Sequence, residues 1–167
     1  MLLDKIDTPR ELFTYKLGSA LKMENTVLDM LGDLEGNAQR DELKQQFRHH
    51  ADETREQIRN IELAFAELGE QPDDKPCPAI EGLEKEGKAN IKKTDDALVD
   101  NVILSGAAET EHHEIAVYEA LITQAEAMGK PAVATLLRQN LQQEQHTLDE
   151  VKGHAERLAR ETAAMTA

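Results

Sequence analysis

Four long segments of this chain repeat apolar side chains at intervals of three and four residues, a rhythm that commits them to amphipathic helices. The first carries Phe13, Leu17, Leu21, Val27, Leu28 and Leu31, and the second Leu43, Phe47, Ile58, Ile61 and Phe65. The third carries Leu104, Ala107, Ile115, Tyr118 and Leu121, and the fourth Val133, Leu137, Leu141, Leu148 and Val151. Thr8-Pro9-Arg10-Glu11 opens the first helix as a capping box with Pro at the first helical position. Gly32 and Gly36 are expected to end it near Leu34, with Asn37 capping a second helix that runs from Ala38 to Leu68 and closes at Gly69. Prolines between residues 70 and 79 forbid helix, and a short helix over Ala79–Lys92, interrupted by Gly82 and Gly87, crosses the bundle. The third long helix starts at Asp95 or Asp96 and ends at Met128, and Gly129-Lys130-Pro131 stops it and starts the fourth. The expected fold is all-α: one four-helix domain over residues 1–167, with the residues before Thr8 and those after Arg160 loose.

Composition agrees and removes whole classes of function. Aromatics are only 3% of the chain and Trp is absent, which favours helices over a sheet. A formal charge of -14 argues against nucleic acid, whose sequence-independent binding needs Lys and Arg to release counterions. No apolar run is long enough to span a membrane, and no signal segment is legible at the N-terminus. A cytoplasmic protein is expected. Cys77 is the only cysteine and reads as a free structural thiol.

The informative residues are the ones that break the apolar stripes. Glu24 lies between Leu21 and Leu28, and Glu144 between Leu141 and Leu148. His50 occupies a stripe position of the second helix with Glu53 on its edge, and Glu111 and Glu114 do the same in the third. Asn37 is equidistant in sequence from Glu24 and His50, and Gly129 from Glu114 and Glu144. Each antiparallel hairpin therefore brings its polar residues to one level. Carboxylates gathered in a low-dielectric core repel by on the order of several kcal/mol, and no Lys or Arg stands on any stripe to compensate. Two divalent cations would nearly neutralise them. Oxygen donors with one imidazole suit iron, with manganese as the alternative, better than zinc. One mid-stripe Glu is more often a protonated or half-exposed acid than a ligand, but acids on all four helices at matching heights point to a dinuclear metal site. His49, His112, His113 and His146 fall off the stripes and read as solvated, with His146, beside Glu144, the nearest to an exception. Tyr118 reads as a core residue, its alternative being a hydrogen bond to a ligand.

These residues resemble the YciE/YciF-like family of ferritin-related bacterial stress proteins. The resemblance rests on Lys22-Met23-Glu24-Asn25, His50-Ala51-Asp52-Glu53-Thr54, Glu111-His112-His113-Glu114-Ile115-Ala116-Val117-Tyr118, Gln143-Glu144-Gln145 and the crossover Cys77-Pro78-Ala79-Ile80-Glu81-Gly82-Leu83. It spans about Thr8 to Leu158. It implies a ferritin-like up-down-down-up bundle, a di-iron centre on Glu24, His50, Glu53, Glu111, Glu114 and Glu144, and a homodimer. The helix-three Glu-x-x-Glu resembles that of rubrerythrins, which reduce peroxide at di-iron sites. Two departures from the wider ferritin-like pattern stand out: His50-x-x-Glu53 replaces the usual Glu-x-x-His, and Thr147 stands where the second His belongs. Rubrerythrin-type Cys motifs are missing too, so a peroxidase would need an external electron donor. The competing readings are a di-iron oxidoreductase, a non-enzymatic stress or interaction protein whose metal only stiffens the core, and, lowest, an iron-storing or DNA-protecting cage.

Overall fold

Thr8 begins the structure as its sequence demands. Its hydroxyl accepts from the Glu11 backbone N–H, and the Glu11 carboxylate accepts in turn from the Thr8 N–H at 2.9 Å. The computed structural model describes residues 5–165, which form α1 (Pro9–Asn37), α2 (Asp41–Glu67), α3 (Pro78–Lys93), α4 (Val99–Ala127) and α5 (Pro131–Ala164). Among the described residues there is no strand, and no helix is long and apolar enough to cross a membrane.

The pairings set the topology. α1 packs on α2 and α4 on α5, each pair joined by a short turn. Between the pairs, Arg40 meets Glu161, His50 meets Thr147 and Asn60 meets Asn140, so α2 and α5 run in opposite directions. α2 and α4 therefore run the same way, and the chain must travel the length of the bundle between them. This is the ferritin-like up-down-down-up order. The crossover lies along α1, with the Lys75 N–H donating to the Gly18 carbonyl at 3.0 Å and the Ser19 hydroxyl to the Pro76 carbonyl at 3.1 Å. Gly18 permits that approach, since a Cβ there would stand 2.3 Å from the Asp73 carbonyl oxygen. α3 then lies across α1 and α4.

Several boundaries differ from the sequence expectation. α1 continues through Gly32 and Gly36 to Asn37, because glycine's helix penalty of about 1 kcal/mol is outweighed where Leu31 and Leu34 pack inward. Asn37 does not cap α2: its amide donates back to the Asp33 carbonyl, and α2 starts only at Asp41. A distant residue does the capping. The buried Asp100 carboxylate of α4 accepts from the Gln39 and Arg40 N–H groups at 2.8 and 3.2 Å. Asp95 makes a turn rather than a helix start, accepting from the Ala97 and Leu98 N–H groups, which delays α4 to Val99. Helix α5 does not fray after Arg160. It reaches Ala164, where Asn101 donates to the Thr162 hydroxyl at 3.2 Å. Residues 5–7 are exposed and precede the helix, while residues 1–4, 166 and 167, also expected to be loose, lie outside the described residues. Gly69 and Gly129 close their helices with φ of 70° and 67°, as the sequence predicts.

Candidate metal centre

Each of the four long helices delivers its polar intruder to the bundle axis because the neighbouring stripe residues bury there and carry it inward. Glu24, Glu114 and Glu144 are fully buried, and His50 and Glu111 retain 2% and 3% exposure. His50, Glu111, Glu114 and Glu144 each offer one donor atom, and these atoms all lie within 4.8 Å of one another, a grouping that can hold a metal ion. Glu24 stands beside Glu114 and completes the cluster from α1. Glu53 does not enter this group. It is half-buried on the rim, where Oε2 lies 3.2 Å from Nδ1 of His50 and Oε1 lies 3.5 Å from His49.

His50 is oriented from one side only. Its Nδ1 faces Glu53 and the Thr147 hydroxyl, both at 3.2 Å. That leaves Nε2 pointing into the cluster, 3.2 Å from Glu111 Oε1 and 3.6 Å from Glu144 Oε2, without a hydrogen bond of its own. Thr147, which takes the place of a second imidazole in the sequence pattern, thus supports the existing one. Glu24 is held by the Tyr118 hydroxyl, which donates to its Oε1, and Tyr118 in turn accepts from the Asn140 amide at 3.1 Å. The hydrogen-bonding alternative for Tyr118 is the one realised.

The burial of these groups shifts their protonation. Burial pushes Glu24 up to about 7, opposed by the Tyr118 hydrogen bond and the His50 charge. Burial and then the neighbouring carboxylates hold Glu114 and Glu144 well above their ordinary range. For His50, burial works to lower the pKa, but Glu111 and Glu53 outweigh it and hold the imidazole well above its usual value. Both oxygens of Glu114 and of Glu144, with one each of Glu24 and Glu111, have no hydrogen-bond partner. Buried polar atoms are nearly always satisfied, so six unpartnered carboxylate oxygens at one level, like the donor grouping itself, could hold a metal ion. Among the described residues no Lys or Arg is buried to supply that positive charge.

Sequence reasoning missed Asn140. This fully buried residue links Tyr118, the Gln57 carbonyl and the Asn60 amide, at 3.1, 3.1 and 2.8 Å. Its signal was present, because Leu137, Asn140, Glu144, Thr147 and Val151 form one three-four series, but Leu141 appeared to own the stripe and is only partly buried. The histidines mostly follow expectation. His146 is no exception, since its side chain is 69% exposed and faces Glu150. His113 differs, approaching the buried Cys77 thiol at 4.0 Å. Burial raises that thiol, but His113, with smaller help from Ile80 and Ser19, brings it below its ordinary pKa.

The sequence and the fold are similar to those of known proteins. The family model described as "Domain of unknown function (DUF892)" matches residues 8–164. The chain belongs to that family. Protein YciF of Escherichia coli (strain K12) is 31% identical over 142 residues, covering 84% of this chain and 86% of that protein. The crystal structure of the E. coli stress protein YciF superposes with a TM-score of 0.88 at 27% identity, covering 93% of this chain and 99% of that one. YcfI from Rhodopseudomonas palustris, put forward as a structural protein, gives a TM-score of 0.87 at 29% identity, over 91% of this chain and 98% of that one. The chain is a YciF-like member of the DUF892 family, and the YciF-like fold carries the buried Glu/His cluster described above.

Proposed function

We propose that this YciF-like chain is a di-iron carboxylate protein of the stress response, with manganese as the alternative metal. Glu24, His50, Glu53, Glu111, Glu114 and Glu144 form the ligand set, and the protein works as a homodimer. The observation that carries this reading is the set of orphaned carboxylate oxygens around His50 Nε2, buried with no Lys or Arg among them. Oxygen donors with a single imidazole fit iron or manganese, and two such ions would nearly balance the carboxylate charge. When bound, the metal supplies Lewis acidity and one-electron chemistry toward oxygen or peroxide, with electrons from an external donor.

The chain's own groups prepare the site for this. Tyr118 and Asn140 fix the rotamer of Glu24, and Thr147 and Glu53 fix the His50 ring so that Nε2 faces the ions. Burial of every inner ligand excludes bulk water, which strengthens each charge interaction there. Glu53, half-exposed at the rim, is the carboxylate placed to meet an arriving cation.

Elemental analysis of protein purified without added metal is the test. About two iron or manganese per chain supports the reading, and a metal-free protein whose melting temperature is unchanged by Fe(II) ends it. A second reading, a non-enzymatic protein whose metal only stiffens the bundle, is favoured by the structural role put forward for YcfI. Peroxide or oxygen consumption by iron-loaded protein, lost in Glu144→Ala, separates the two.

A further inference from the structure

The buried centre is approached from beneath α3 by a space unlike the centre itself. A cavity of about 40 Å³ lies against His50 and Glu111, walled by Val27, Leu31, Phe47, Ile103, Ala107 and Val151. A second space of about 100 Å³ lies between α3 and α4, bordered by Glu86, Asn90, Ser105 and Glu109. The two share Leu83, Gly87, Val102 and Gly106, so these residues stand where the outer cleft adjoins the inner chamber.

Two features of that boundary have no backbone explanation. Gly87 sits inside α3 and Gly106 inside α4, where glycine is a poor residue, and neither adopts the positive φ that would require it. Nor does a close approach require them, because a Cβ on either meets no heavy atom within 4 Å. What both glycines supply is room, and both supply it at the same boundary. The inner chamber is about two to four water volumes in size, and although Gln46, Thr110 and Thr147 also line it, its walls are mainly aliphatic and aromatic. Such a space discriminates against ions and strongly hydrated molecules and admits small apolar ones. A separate polar cleft, lined by Glu53, Glu56 and His146, opens on the α2–α5 side.

We infer that the chamber beneath α3 is an entry and holding site for a small, uncharged, apolar molecule of the diatomic-gas class, molecular oxygen being the oxidant of that description, and that Gly87 and Gly106 set its bore. The functional part of this inference rests on the metal-centre reading, whereas the chamber's affinity for an apolar gas does not.

Xenon is the probe, because it occupies dry apolar cavities and needs no metal. Crystals of the wild-type protein under xenon pressure are expected to show an atom between Val27, Phe47 and Ile103. Gly106→Leu is expected to lose it. Gly106→Ala, which favours the helix and so keeps the fold, is expected to reduce its occupancy. Gly153→Leu, at an exposed glycine of α5 with equally open space, should leave it unchanged. An empty wild-type chamber, or full xenon occupancy in Gly106→Leu, overturns the inference. With iron loaded, Gly106→Leu should consume oxygen more slowly at unchanged iron stoichiometry, and an equal rate overturns the entry route. If the wild type holds xenon but takes up no iron, the metal-centre reading fails and the chamber stands.

Discussion

Tyr118 on α4 donates its phenolic hydrogen to Glu24 on α1, and both residues are fully buried. The bond crosses between the two hairpins, so it ties the halves of the bundle together at the level of the cluster. It also decides which oxygen of Glu24 remains free, since Oε1 is engaged and Oε2 has no partner.

Tyr118→Phe removes that bond and leaves the Asn140 amide without its acceptor there. A buried donor left unpaired costs about 1–3 kcal/mol, and the metal-free protein is expected to lose stability of that order in urea denaturation. Fe(II) affinity should fall roughly 10- to 100-fold, the range seen when an outer partner of a ligand is lost. Isothermal titration with Fe(II) under anaerobic conditions checks it. An unchanged affinity would mean that Glu24 needs no help to face the metal.

Asp100 offers a prediction about folding rather than chemistry. Its carboxylate caps the N-terminus of α2 from another helix, taking two backbone N–H groups that no local side chain satisfies. Asp100→Ala is expected to destabilise the protein by about 1–2 kcal/mol, the usual cost of a lost N-cap. Metal stoichiometry should be untouched, because Asp100 lies at the hairpin end of the bundle, away from the cluster. Thermal unfolding followed by circular dichroism reads both parts when run with and without metal.

Why Asp100 escaped the sequence while Glu144 did not is a matter of range. The helices, the Gly69 and Gly129 stops, and the acids on the stripes are encoded within a few turns of chain, and local periodicity exposes them. Equal spacing from a hairpin even gives their heights. Tertiary partners follow no such rule. Asn37 looked like the α2 cap because it is a good capping residue in the right place, but the Gln39 and Arg40 N–H groups just ahead of α2 find Asp100 some sixty residues later in the chain. Gly18 carries no local signal, because what requires it is the crossover that comes to rest on it. Asn140 was hidden by a neighbouring leucine. Glu53 shows how fine a local pattern can be: the sequence put it on the edge of the stripe, and it stands at the rim, against the outer nitrogen of His50.

The pH dependence follows from the raised carboxyls. Burial pushes Glu24 up to about 7 in the folded chain, from an ordinary carboxyl value of about 4.5, so the folded state holds a proton that the unfolded chain has released between those limits. A group shifted upward contributes stability that is complete below its unfolded pKa and disappears as pH rises through the folded one. Metal-free protein should therefore weaken between about pH 4.5 and 7, by about 3 kcal/mol from Glu24 alone if the full shift is realised. Glu114 and Glu144, whose carboxyls burial also raises, act with the same sign. Glu53 opposes them: although burial raises it, the His50 hydrogen bond and charge bring it below its ordinary value, so its contribution is lost as pH falls. Metal should reverse the trend, because binding displaces the protons and is favoured at higher pH. Urea denaturation at several pH values, with and without Fe(II), checks the crossing of the two curves. Parallel curves would show that protons and metal do not compete at these carboxyls.

Glu144→Gln separates the metal's role from the fold's. In the metal-free chain Glu144 contributes little that holds the bundle together: both its oxygens lack hydrogen bonds, and burial with the charges of Glu24 and Glu111 keeps it well above its ordinary pKa. Its one favourable neighbour, the His50 imidazole at 3.6 Å, keeps Glu111 and Glu53 as partners when Glu144 is neutral. A carboxyl that its surroundings keep protonated is already neutral, so a neutral amide of the same shape changes little. The metal-free variant is therefore expected to melt at or above the wild-type temperature near neutral pH. With Fe(II) the order should invert. Wild type gains stability by mass action, whereas the variant, having lost a ligand at the middle of the cluster, gains little. Scanning calorimetry of both proteins with and without metal measures all four states. If Glu144→Gln instead destabilises the metal-free chain by several kcal/mol, as loss of a well-satisfied buried partner does, then the carboxylates at this level hold the protein together by themselves and need no cation.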